Sequence, residues 1–229
     1  MNFGPLFFLD FETNKAGDFY LVGLSANEKF EQIVLTEKLD GLAEQFCFAT
    51  SKPKEFASAF LRNVSSQGGT IVAYSIAEQE ILRSLFPAGD PIYKNVSYCN
   101  LLKSARSWIR KYKTVEFDAL PPLVKGANAY SKRRHPKSLA SICRLINFNA
   151  PSDYAIGKTT SRFNTVVDAL KKRNGDYSSL TPVQKGKATK AIKHNRYDVE
   201  SMKLLFDEIQ KTDQQLNRKA TVSLFENVT

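Results

Sequence analysis

The first hundred residues alternate apolar and polar positions in short runs, and those runs predict strands. Leu6 to Phe11, Phe19 to Leu24 and Phe30 to Leu35 read this way, divided by the turn-like stretches Asn14 to Gly17 and Ala26 to Glu28. Connections this short favour antiparallel pairing of consecutive strands. The period then changes. Within Pro53 to Val64, Phe56, Phe60 and Leu61 share one helical face, and Gly68-Gly69 breaks the chain before a fourth strand, Thr70 to Tyr74. Glu78 to Phe86 reads as a helix closed by Pro87 and Gly89, Asn95 to Tyr98 as a fifth strand, and Leu101 to Tyr112 as a helix. A long helix over about 182–216 closes the chain, with Val199, Met202, Leu205, Phe206 and Ile209 on one side.

This order predicts an α/β fold with a mixed sheet: three antiparallel strands, then alternating helices and strands. Residues 114 to 180 fit it less well, since they hold Pro121-Pro122, the SKRRHPK run and several polar stretches. They are expected as a basic elaboration of a single domain covering 1–229.

Charge changes the picture because it is unevenly spread. Residues 1–102 carry 8 Lys/Arg against 12 Asp/Glu, residues 103–144 carry 11 against 2, and residues 145–229 carry 14 against 9. A net charge of +10 concentrated in the later part favours a polyanionic partner. No apolar run approaches the roughly 20 residues of a membrane span. The start lacks the marks of a secretory signal. The cysteines, Cys47, Cys99 and Cys143, are far apart and form no C-x-x-C pair. They are expected as reduced thiols of a cytoplasmic protein rather than disulfides or a zinc cluster.

The first strand holds an anomaly. In FFLDFETN, alternation sends Asp10, Glu12 and Asn14 to one face and Leu9 and Phe11 to the other. Two carboxylates so close repel each other and lose hydration, and a divalent cation is the simplest compensation. A hard ion such as Mg²⁺ or Mn²⁺ takes oxygen ligands, so further acids should converge on the pair. Glu78 opens a helix and borders its apolar stripe of Ile81, Leu82 and Leu85, whereas Glu80 points away. In KHNRYDVESM, His194 and Asp198 are four residues apart and share a helical face that Met202 continues. Each has a plainer reading, Glu78 as a partner of the helix dipole and His194–Asp198 as a helix-stabilising pair.

The three stretches FFLDFET, AYSIAEQEIL and HNRYDVESM resemble, in order and placement, the three motifs of the DEDD 3′–5′ exonucleases, which include polymerase proofreading domains and ribonuclease D. The resemblance covers residues 5–102 and 182–210 and implies a ribonuclease-H-like sheet. Glu78 stands where that family usually has Asp, which is more similar to the ribonuclease-H-like domains found beside RecB-type nucleases, with Ala77 in place of the second Tyr of their Tyr-x-x-Tyr-Glu pattern. His194 has the spacing of the tyrosine branch and the side chain of the histidine branch, and Lys193 takes the histidine branch's position. The resemblance implies that Asp10, Glu12, Glu78 and Asp198 bind two divalent cations around a scissile phosphate. It further implies that His194 accepts the proton of a water or holds it in line, and that Thr13 meets the terminal nucleotide. The expected substrate is single-stranded DNA or RNA with a 3′ end. Its track would be the basic residues Lys103, Arg106, Arg110, Lys111 and Lys113, with the cluster Lys132, Arg133, Arg134 and Lys137. Trp108, Tyr112 and Tyr130 lie among them, either to stack bases or to pack in the core. Two other functions suit the same fold: a non-catalytic nucleic-acid-binding module, and a structure-selective endonuclease.

Overall fold

The computed structural model describes residues 4–14, 16–87, 89–121, 138–151, 154 and 158–226, with side chains through 214. They fall into two compact units, one drawn from 1–100 and 150–200, the other from 101–149 and 201–229. The stretch expected as one elaboration at about 114–180 is therefore shared between them.

The first unit is built on a six-stranded mixed sheet. Its strands are β1 (Leu6–Thr13), β2 (Phe19–Ala26), β3 (Lys29–Val34), β4 (Ala49–Thr50), β5 (Thr70–Ala73) and β6 (Ser97–Asn100), in the order β4-β3-β2-β1-β5-β6. β1, β2 and β3 pair antiparallel, as their short connections predict, while β5 runs parallel to β1 and β6 parallel to β5. The β2–β3 turn has two residues, Asn27 and Glu28, both at positive φ (49° and 65°). That is the pair of left-handed conformations whose twist suits a tight hairpin.

Helices cover both faces. Phe7, Leu9 and Phe11 of β1, with Val22 and Leu24 of β2, pack against Phe56, Phe60, Leu61 and Val64 of α2 (Pro53–Ser66). Leu82 of α3 (Ala77–Ser84) joins the same core. On the other face Leu21 and Val34 meet α1 (Asp40–Phe46), α7 (Lys158–Lys171) and the start of α8 (Pro182–Glu226) through Leu42, Phe163, Val166, Leu170, Ala191 and Ile192. Neither α1 nor α7 was expected from the sequence.

In the second unit the helix predicted over 101–112 is α4 (Leu101–Trp108), which widens into a π-helical turn at Ile109–Lys113 before α5 (Thr114–Asp118). Trp108 is 2% exposed and its indole donates to Thr212 Oγ1 (3.3 Å), while the Tyr112 hydroxyl donates to Asp213 Oδ1 (3.1 Å). Trp108 is thus a core residue and has no ring face to offer a base. A further short helix, α6 (Leu139–Cys143), buries Leu139 and Ile142. Among the described residues no helix is long and apolar enough to cross a membrane.

Candidate metal centre

The strand pleat places the acids. Phe7, Leu9 and Phe11 fill the core on one face, so Asp10 and Glu12 leave β1 on the face covered by α8. On α8 the fully buried Val199 draws that side of the helix onto the sheet beside Gly23, and Asp198 follows at its edge. One carboxylate oxygen from each of Asp10, Glu12 and Asp198 lies within 4.8 Å of the others. Glu78 stands outside this trio at the first turn of α3, half-buried, and its Oε2 accepts from Ser75 Oγ (3.1 Å). Glu80 is exposed, in keeping with its omission from the site.

The acids feel each other strongly. Burial, and then the charges of Asp198 and Glu78, push the Asp10 carboxyl well above the usual carboxylate range, against a hydrogen bond from Asn195 that pulls it down. Glu12 is raised by burial and then by Asp10, Asp198 and Glu78. Asp198 is pushed up to about 7 by burial and by Glu78. Glu78 is raised by burial, opposed by hydrogen bonds from its own amide and from Ser75. Glu78 thus belongs to the cluster electrostatically. Crowded, hard oxygen donors that resist ionisation suit a divalent cation, whose charge removes the repulsion they suffer.

His194 approaches from the same helix, with Nε2 3.6 Å from Asp198 Oδ2. On its other side Nδ1 and Thr159 Oγ1 are 2.7 Å apart, and the ring stacks on Tyr154 at 4.6 Å between centroids. Only 9% of the side chain is exposed. An ionised Asp198 favours the proton on Nε2, and a neutral ring then accepts from the Thr159 hydroxyl. The imidazole therefore reaches the cluster through Asp198 and is held on three sides.

Thr13 lies at the end of β1, where its carbonyl accepts from Thr160 Oγ1 (3.1 Å) on α7. Arg106 and Arg110 are exposed on the second unit. Lys132, Arg133, Arg134, Lys137 and Tyr130 lie outside the described residues. One residue of the site was not anticipated. Asn195 is fully buried and donates from Nδ2 to Asp10 Oδ2 (2.8 Å) and to the Asp10 carbonyl (3.2 Å). Its amide is uncharged, so reasoning from acids and their spacing passes over it.

Comparison with protein-family models, with curated proteins and with solved structures returned no match.

Proposed function

We propose that this chain is a divalent-metal-dependent nuclease of ribonuclease-H-like fold that removes nucleotides from the 3′ end of DNA or RNA. The observation that carries the reading is the convergence of Asp10, Glu12 and Asp198, from the first strand and the last helix, with three oxygens inside 4.8 Å. The strand order supports it, since three antiparallel strands with β5 and β6 added parallel beside β1 is the arrangement implied by the DEDD resemblance. Two bound cations, Mg²⁺ or Mn²⁺, would lower the pKa of an attacking water and stabilise the departing 3′ oxygen. Asp10, Glu12 and Asp198 would hold them, with Glu78 as the fourth acid. His194, gripped by Thr159 and Tyr154, steadies Asp198 as a positioning residue. Thr13 borders the place of the terminal nucleotide. Arg106 and Arg110, with Lys132, Arg133, Arg134 and Lys137, would bind phosphates without reading sequence. A reducing, cytoplasmic setting accords with three cysteines, Cys47, Cys99 and Cys143, that lie far apart in the chain.

The test is the purified chain with Mn²⁺ on single- and double-stranded DNA and RNA, labelled at either end. Release of mononucleotides from the 3′ end, absent with Asp10→Asn, is the expected result. Internal cleavage of a 3′-blocked strand would point to an endonuclease, and binding without cleavage to a non-catalytic module.

A further inference from the structure

The amide of Asn195 lies across a row of three residues in register on the sheet. Asp10 of β1 pairs with Gly23 of β2, and Gly23 pairs with Gln32 of β3. The middle position has no side chain, and a Cβ there would come within 2.3 Å of Asn195 Oδ1 and 3.0 Å of Val199 Cγ2. Asn195 thus fills the space that a side chain at position 23 would take, and it bridges the outer two members of the row. Gln32 Nε2 donates to Asn195 Oδ1 (2.8 Å), and Asn195 Nδ2 donates to Asp10 Oδ2 (2.8 Å).

Polarity runs in one direction through this bridge. An amide can turn either its oxygen or its nitrogen to a neighbour, so its sense is set by what its partners can do. Gln32 Nε2 also donates to the carbonyl of Ile192 (3.0 Å), and a carbonyl can only accept. Gln32 must therefore present its NH₂ at this end. Asn195 then answers Gln32 with its oxygen, and its own NH₂ is left to face Asp10. There it meets two acceptors, the backbone carbonyl and Oδ2. Two backbone carbonyls that can only accept, Ile192 at one end and Asp10 at the other, thus fix the sense of both amides and with it how one oxygen of Asp10 is engaged.

We propose that Asn195, set by Gln32 and admitted by the missing side chain of Gly23, is a positioning residue that fixes the Asp10 carboxylate and leaves its second oxygen to a divalent cation. This rests on the metal reading given above. The residues making the bridge are buried, Gln32 at 7% and Asn195 at 0% exposure, so water cannot take over their hydrogen bonds cheaply.

The experiment is Mn²⁺ binding to the full chain, followed by calorimetry well below the melting temperature, with melting and circular dichroism in EDTA to report on the fold alone. Asn195→Ala, folded as wild type, is expected to raise the Mn²⁺ dissociation constant tenfold or more. A change under threefold overturns the proposal, even where the melting temperature falls, because Asn195 is then only a packing element. Should Asn195→Ala not fold, Gln32→Met decides. It keeps Asn195 but removes the donor that holds its buried oxygen in place, so Mn²⁺ binding must weaken at least threefold, and an unchanged constant overturns the proposal. Wild type that is folded yet binds no Mn²⁺ would overturn the metal reading and this proposal together, whereas tight wild-type binding with an insensitive Asn195 variant would remove this proposal alone.

Discussion

At Asp198 the carboxyl group titrates near pH 7, because burial and the Glu78 charge both oppose its ionisation. Asp10, Glu12 and Glu78 are shifted the same way. Without metal, the folded chain thus keeps protons that the unfolded chain releases near pH 4. Folding is favoured by these groups at low pH; the contribution of Asp198 is lost as pH rises from about 4 through about 7, and the other three acids act in the same direction. Melting in EDTA should show stability declining over this window, with a shallower decline for Asp198→Asn. Mn²⁺ should reverse the trend, its stabilisation growing with pH as protons cease to compete. Asp10→Asn keeps an acceptor for Asn195 while removing one charge. It should raise the metal-free Tm at pH 7.5 by roughly 2–4 °C, the shift that about 1 kcal/mol makes in a chain of this size, and abolish both the Mn²⁺ response and any nuclease activity. His194 is expected to act by steadying Asp198. His194→Gln, which retains a donor, should keep single-turnover cleavage within about tenfold of wild type, whereas loss of a proton acceptor would cost about 10²–10⁴.

Elements with a strong period were legible in the sequence. β1, β2, β3, β5 and α2 lie within a few residues of expectation, because Phe7, Leu9 and Phe11, or Phe56, Phe60 and Leu61, repeat at the spacing of one structure alone. The long helix was found but runs on to Glu226. α1 has seven residues and buries only Leu42 and Ala43, too little for a period to emerge. α7 did carry a signal in Phe163, Val166 and Leu170, but Thr159 and Arg162 also sit on its buried side and hide the stripe among polar residues. The site follows the same logic. Asp10, Glu12 and Asp198 were legible because acids inside apolar patterns are anomalous. Asn195 and Gln32 were not, since a neutral amide looks the same in sequence whether it is buried or solvated. Gly23 likewise reads as a weak point in a strand, although here it makes room for the helix above. Gly23→Ala must push back the Asn195 amide or the Val199 methyl, and the overpacking should lower unfolding stability by about 1–3 kcal/mol in denaturant titrations. The same substitution in an Asn195→Ala background should lose less, since one of the two obstructing groups is gone.

Over the whole molecule, acids outnumber bases in residues 1–102, which supply all six strands of the sheet, and bases dominate residues 103–144. Single-stranded nucleic acid should therefore bind with a steep salt dependence and little regard for sequence. Replacing the exposed Arg106 and Arg110 with Ser should weaken all substrates alike and flatten the salt slope by up to about 2, one for each phosphate no longer neutralised. A filter-binding series between low and moderate salt measures both quantities. An unchanged slope would mark this pair as solvated surface.

If the proposed cations bind, the crowding of carboxyl groups along β1 makes their uptake an exchange reaction. Asp198, pushed up to about 7, must surrender its proton when a cation enters, so binding acidifies the medium. Calorimetric titration of Mn²⁺ at pH 6.5 should consequently give an apparent enthalpy that varies with the ionisation heat of the buffer. The slope of that dependence counts the protons expelled per molecule, and Asp198→Asn should lower it. In cell compartments that differ by a few tenths of a pH unit around neutrality, the same exchange would set how much of the protein carries the proposed cation.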